Sequence, residues 1–243
     1  MDRKSALFLD LDGTLLEIAA TPESVVVPPA LPGLLAHLHG QLDGAVAIVS
    51  GRPLQQIDRL LAPFHPAAAG EHGVSLRFGD GTLEELPVGI AIPADWRSTL
   101  AKAIEAWPGV RIETKPHGLA VHYRLAPERE AEVWELVRSV VPADHPWFRL
   151  IPAREAVELG LRAASKGDAV ERLMAHAPFH GRRPIFIGDD FTDEAGMSMA
   201  RRFGGMGLRV ADVFGGDPAN VRAWLTHGTA HLESQLSPPG TAA

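Results

Sequence analysis

The chain reads as an α/β protein, a doubly wound parallel sheet interrupted by a smaller inserted α+β domain. Three observations predict this. Short apolar runs of strand length alternate with segments whose apolar residues recur at helical spacing. That alternation stops between about residues 75 and 162 and then resumes. Two aspartates, Asp10 and Asp12, stand where the first apolar run ends, and open α/β sheets bind ligands beyond the carboxyl ends of their strands.

The elements follow in order. Ala6–Leu9 is the first expected strand, "LPGLLAHLHGQL" a helix, Ala45–Val49 the second strand and "PLQQIDRLLAPF" a second helix. "HPAAAGEHG" is a weaker strand ending near Glu71. The pattern then changes: "VSLRFGDGTLEEL" reads as a hairpin, "WRSTLAKAIEAW" as a helix, and "VRIETK" and "LAVHYRL" as two strands around Pro116-His117-Gly118. A helix in "PEREAEVWELVRSVV" and strand-like "FRLIPA" and "AVELGL" complete the inserted part. Alternation resumes with helix "KGDAVERLMAHA", strand Ile185–Ile187, helix "TDEAGMSMARRF" and strand Met206–Val210. The expected division is therefore a core of residues 1–74 and 163–243 with an α+β cap at 75–162; one large domain with a long excursion is the alternative. The tail "SPPGTAA" is expected to be disordered.

Composition narrows the function. With 243 residues, 46% of them hydrophobic, the chain can bury a substantial core without cross-links. It has no cysteine, which excludes disulfides, thiolate catalysis and sulfur-ligated metals. A net charge of −7 offers no basic patch for nucleic acid, so an anionic substrate must be held by a few local cations or a metal. The histidines show no metal-ligand spacing, which argues against zinc. No apolar stretch is long enough for a signal peptide or a membrane span. A cytoplasmic monomer without membrane contact is the expectation.

Asp12-Gly13 alone could be a turn. A second carboxylate at Asp10 gains nothing from its neighbour unless a charged ligand joins them, because like charges repel. Other groups gather at the ends of strands or starts of helices: Ser50 and Arg52 in "AIVSGRP", Lys166 in "SKGDAV", and Asp189, Asp190 and Asp193 in "IFIGDDFTDE". Singly each could be a helix cap or a solvated charge. Together they suit phosphoryl transfer through an aspartyl-phosphate. Asp10 would be the nucleophile, Asp189 a ligand of Mg²⁺ that neutralises repulsion between two anions, and Ser50 and Lys166 the partners of the phosphoryl oxygens. Asp12 would protonate the leaving alkoxide and later deprotonate water. Asp193 would bind the metal or orient the site through Lys166.

"DLDGTL", the serine after the second strand, the lysine before a helix and "GDD…D" resemble, in order, the four motifs of the haloacid dehalogenase superfamily. The resemblance implies a Rossmann-like core and Mg²⁺ held by Asp10 and Asp189, with Asp12 contributing its backbone carbonyl; Asp190 and Asp193 complete the expected metal-binding set. The second aspartate of the first motif implies the phosphotransferase branch, and the insertion resembles the cap of the Cof-like subgroup. "VSGRP", "GEHG", "SKGDAV" and "PIFIGDDFTDEAGMSMARRFGGMGLRV" are further similar to the trehalose-6-phosphate phosphatase family over essentially the whole chain. In that family the E-x-K…HYR segment contacts the sugar, which implies that role for Glu113 and Lys115, and Glu158 matches a further family glutamate although "ELGLRAASKG" lacks the Lys/Arg-Pro that usually follows. Arg52 and His72 join them as expected substrate-binding residues.

Read without the resemblance, Glu113 and Lys115 would be an exposed same-face pair on a strand, and His122 and Tyr123 packing residues. The implied function is Mg²⁺-dependent hydrolysis of trehalose 6-phosphate. Alternatives are a phosphatase for another glycosyl phosphate such as sucrose or glucosylglycerol phosphate, a phosphomutase, and an inert sugar-phosphate sensor that kept the fold.

Overall fold

The structure is a computed structural model that describes residues 1–86 and 90–235; the "SPPGTAA" tail lies outside the described residues. The larger sheet contains β1 (Ser5–Leu9), β2 (Val46–Val49), β3 (Ala67–Gly70), β4 (Ser75–Arg77), β5 (Leu83–Glu85), β10 (Arg183–Gly188) and β11 (Met206–Arg209). A smaller sheet contains β6 (Arg111–Thr114), β7 (Leu119–His122), β8 (Phe148–Ala153) and β9 (Ala156–Leu161). The helices are α1 (Leu31–Gln41), α2 (Leu54–Leu61), α3 (Ala94–Ile104), α4 (Glu130–Val140), α5 (Lys166–Met174), α6 (Asp193–Arg202), α7 (Val210–Val213) and α8 (Pro218–Ser234).

In the larger sheet the order is β11-β10-β1-β2-β3-β4-β5. Pairing is parallel from β11 to β3, with Phe8 opposite both Phe186 and Ala47. β1 and β10 are buried along almost their whole length, which is why their sequences read as unbroken apolar runs rather than alternating ones. β1 is the point from which the chain winds first toward β3 and later toward β11. Because the central strands are parallel, residues following β1, β2, β3 and β10 all emerge at one edge, at the reversal of strand order where ligands bind.

The expected insertion begins differently. β4 and β5 form the expected hairpin, but β4 pairs antiparallel with β3, Ala69 facing Leu76, so residues 75–85 extend the larger sheet. The connection from β3 to β4 is only a turn at Glu71–Gly73, too short for the crossover a parallel partner needs. The smaller sheet is wholly antiparallel, ordered β6-β7-β9-β8. It packs α3 and α4 around its own apolar cluster, which includes Leu100, Val121, Val133, Phe148 and Leu159. A separate cluster surrounds the larger sheet.

Local signals account for the helix starts that matter to the site. Ser165 caps α5 by accepting from Asp168 N at 3.1 Å, which places Lys166 at the first helical position. α8, absent from the expected elements, opens with Asp217 accepting from Ala219 N at 2.8 Å and Pro218 in its first turn. It covers α1, where buried Gln41 donates to Thr229 O at 3.2 Å.

Candidate active site

Asp10 follows β1 and is 4% exposed. Lys166, from the start of α5, is 3% exposed, and its Nζ donates to Asp10 Oδ1 at 2.8 Å and to Asp193 Oδ1 at 2.7 Å. Asp193 Oδ2 accepts from the backbone N–H groups of Asp189 and Asp190 at 3.0 and 3.1 Å. The loop after β10 is thereby fixed by the residue that also fixes the lysine. Asp190 differs from its expected partners: its Oδ1 accepts from Thr192 N at 2.8 Å, Thr192 Oγ1 at 2.7 Å and Asp193 N at 3.3 Å, so its carboxylate shapes the entry to α6.

Carboxylate oxygens of Asp10, Asp189 and Asp193 lie within 4.8 Å of one another. Burial pushes Asp10 well up, its three acidic neighbours add to that, and Lys166 opposes it. Asp189 is pushed up to about 7 by burial and by Asp190 and Asp193. Lys166 is held above its ordinary value: burial alone would lower it, but Asp10 and Asp193 outweigh burial. The Lys166 ammonium bonds two of these three carboxylates, Asp10 and Asp193, and an oxygen-only donor set of this kind suits a small hard cation. Gly13 is what admits Asp189. A Cβ on Gly13 would lie 2.1 Å from Asp189 Oδ2, and φ there is +82°, a conformation glycine adopts without cost.

Asp12 turns to the other side of the cleft. Arg52 Nε and Nη2 donate to its two oxygens at 2.6 and 2.7 Å, a bidentate pair. The third arm of the guanidinium, Nη1, reaches Pro22 O at 3.2 Å and Gln56 Oε1 at 3.1 Å. Ser50, buried at the end of β2, accepts from Arg52 N at 3.2 Å. Asp10, Asp12, Ser50, Arg52, Lys166 and Asp189 all line one cleft.

The smaller sheet supplies the opposite wall. Glu113 accepts from Gln56 Nε2 at 3.2 Å and pairs with His122 Nε2 at 3.0 Å. Burial favours its neutral form, but His122, Lys115 and Gln56 outweigh it and hold the carboxyl below its ordinary value. Lys115 Nζ donates to Glu158 Oε2 at 2.8 Å and to Gly51 O at 3.0 Å, and His72 Nε2 meets the same Glu158 oxygen at 3.0 Å. Burial would raise Glu158, yet Lys115 and His72 bring it well below the usual carboxylate range. Glu113 and Lys115 are therefore no exposed ion pair: each is tied to the larger sheet's side of the cleft. His122 is likewise more than a packing residue, since it lines the cleft and holds Glu113. Tyr123 is buried beside it, with its hydroxyl on Glu130 at 3.0 Å.

Glu71, Arg124 and Arg154 were not among the expected site residues, whereas His72 was. Glu71 and His72, at φ of 48° and 62°, occupy a left-handed conformation that costs each non-glycine residue about 1 kcal/mol. The kink sends both side chains toward the smaller sheet. Glu71 accepts from His117 N at 2.9 Å and pairs with His117 Nδ1 at 2.8 Å, fixing the turn at Pro116-His117-Gly118. Arg124 reaches Ala19 O and pairs with Glu155 at 2.8 Å. Arg154, at the tip between β8 and β9, lies 3.7 Å from Asp189 Oδ2. Arg124 belongs to the quoted "HYR" and Glu71 and His72 to the quoted "GEHG", whereas Arg154 lies between the quoted segments. Histidine and glutamate in "GEHG" were visible as residues, but their inward turn depends on backbone angles.

The trehalose-phosphatase family profile matches residues 8–224. A probable trehalose-phosphate phosphatase of Sinorhizobium fredii is 42% identical over 208 residues, covering 84% of this chain and 77% of the relative. The trehalose-6-phosphate phosphatase of Escherichia coli is 36% identical over 242 residues, covering 100% of this chain and 89% of the relative. Among solved structures, the C-terminal domain of Candida albicans trehalose-6-phosphate phosphatase superposes with a TM-score of 0.78 at 18% identity, covering 94% of this chain and 92% of that one. It shares the fold.

Proposed function

The chain belongs to the trehalose-phosphatase family and hydrolyses trehalose 6-phosphate to trehalose and phosphate, and we propose that it does so through an aspartyl-phosphate formed on Asp10. The observation that carries this is the placement of Asp10 beside Lys166 and within 4.8 Å of Asp189 and Asp193 at the ligand-binding edge of the sheet.

In the first step an Asp10 carboxylate oxygen forms a bond to phosphorus while the bond from phosphorus to the sugar oxygen breaks. Asp12 gives that oxygen its proton. Water then attacks phosphorus, passes a proton to Asp12, and the bond to Asp10 breaks to release phosphate. Lys166 and Ser50 hold equatorial phosphoryl oxygens, where charge stabilisation contributes most. Asp10, Asp189 and the backbone carbonyl of Asp12 would hold Mg²⁺, with Asp193 acting chiefly through Lys166 and the loop amides. Bound there, the cation supplies neutralisation of the phosphoryl charge.

The smaller sheet, with α3 and α4, serves as a cap over the reaction. A second hollow shares Glu113, His122 and Arg124 with the main cleft and extends it away from Asp10, which suits a disaccharide bearing its phosphate at one end. Glu113, Lys115 and Glu158 present charged acceptors and donors to sugar hydroxyls. Phosphate release measured across trehalose 6-phosphate, sucrose 6-phosphate, glucosylglycerol phosphate and glucose 6-phosphate tests this: trehalose 6-phosphate should have the highest kcat/KM, and a higher value for any other member reassigns the cap.

A further inference from the structure

Gln56 belongs to none of the sequence motifs, yet it joins the two walls of the cleft. It sits in the first turn of α2, four residues after Arg52. Its Oε1 accepts from Arg52 Nη1 at 3.1 Å, and its Nε2 donates to Glu113 Oε1 at 3.2 Å. A guanidinium can only donate and a carboxylate only accept, so one orientation of the amide satisfies both neighbours. Arg52 grips both oxygens of Asp12, and the second oxygen of Glu113 faces His122. A continuous path, Asp12–Arg52–Gln56–Glu113–His122, therefore runs from beside the nucleophile to the far wall of the cleft. A carboxylate at position 56 would oppose Glu113, an ammonium would oppose Arg52, and an aliphatic chain would leave both without a partner.

We propose that Gln56 is a positioning residue that holds the sugar-facing carboxylate of Glu113 and the Arg52–Asp12 pair at one fixed spacing, so that a sugar seated on Glu113 presents its ester oxygen to Asp12. This rests on the roles given above to Asp12 and Glu113. Its benefit is confined to substrates that meet both ends of the path. Trehalose 6-phosphate does; a small aryl phosphate meets only the Asp12 end.

Phosphate release from trehalose 6-phosphate and from 4-nitrophenyl phosphate, in the presence of Mg²⁺, tests the proposal in Gln56→Leu, Gln56→Glu, Glu113→Gln and the double variant Gln56→Glu/Glu113→Gln. Gln56→Leu should lower kcat/KM for trehalose 6-phosphate about tenfold, the worth of one hydrogen bond to a charged group, with a clearly smaller loss on the aryl phosphate. Gln56→Glu, nearly isosteric, should lose more on the sugar substrate and carries the test should Gln56→Leu not fold. The double variant again sets one amide against one carboxylate, with the roles exchanged, so its loss should be smaller than the product of the two single losses. Equal losses on both substrates, no loss in either Gln56 variant, or a double variant whose losses simply multiply would each overturn the role of Gln56. A wild-type protein inactive on trehalose 6-phosphate overturns the functional reading as well, whereas an active wild type with indifferent variants removes Gln56 alone.

Discussion

Lys166 donates to Asp10 through a 2.8 Å hydrogen bond inside the protein, and the same ammonium bonds Asp193 at 2.7 Å. One cation thus both orients the nucleophile and offsets two buried carboxylates, which separates two kinds of variant. Asp10→Asn keeps an oxygen for Lys166 but cannot attack phosphorus, so phosphate release should vanish while thermal unfolding stays near that of wild type. Lys166→Met leaves Asp10 and Asp193 facing each other unpaired and should also cost about 3 kcal/mol of stability. Measurable turnover in Asp10→Asn would remove the aspartyl-phosphate.

A cation at the Asp10–Asp189 edge should stabilise the folded chain by mass action. Adding Mg²⁺ is expected to raise the unfolding temperature of the wild type and to leave Asp189→Asn almost unmoved. Excess chelator should stop phosphate release, and Mg²⁺ should restore it. An equal Mg²⁺ response in both proteins would place the cation elsewhere.

The half of the site on the larger sheet was legible because parallel topology does the assembling. Asp10 and Asp189 end strands that pair in register along β1 and β10, so apolar runs ending in carboxylates were enough to bring residues far apart in sequence to one edge. Lys166 followed from the helix that "SKGDAV" opens. The β3–β4 junction was not legible, since whether a hairpin adds to one sheet or the other depends on which edge lies within reach. Gln56 stands beside exposed Gln55 in a helix whose apolar pattern gives both the look of surface residues. His117 and Glu71 meet only because two consecutive residues adopt positive φ. The Asp217-Pro218 start of α8 was present as a cap signal, and its apolar spacing at Val221, Leu225 and Leu232 was helical, so that helix could have been read.

Sugar recognition through Glu113 should appear as a selective loss. A charged hydrogen bond to a hydroxyl is worth about 10–150-fold in a rate or binding constant, and Glu113→Ala should lower kcat/KM for trehalose 6-phosphate within that range. The loss on 4-nitrophenyl phosphate should be much smaller. Equal losses would assign Glu113 to cap docking instead of sugar recognition.

Docking of the smaller sheet should depend on pH through Glu158. Lys115 and His72 hold its carboxyl well below the ordinary glutamate value of 4.5. A group depressed in the folded state adds stability that is fully present above its unfolded pKa and is lost as pH falls toward the folded one. Glu158→Gln should therefore cost about 2 kcal/mol at pH 7, the worth of a hydrogen bond to a charged group. Below pH 4.5 the unfolded wild type takes up a proton that folded Glu158 refuses, so the gap between the two unfolding temperatures should narrow steadily with acidification. Lys115 keeps its bond to Gly51 O in the variant, which limits the loss to the Glu158 contacts. A gap that stays constant from pH 7 to pH 3 would mean that Glu158 is not held in its charged form by Lys115 and His72, and that the cap is docked by its other contacts, Glu71 with His117 and Gln56 with Glu113.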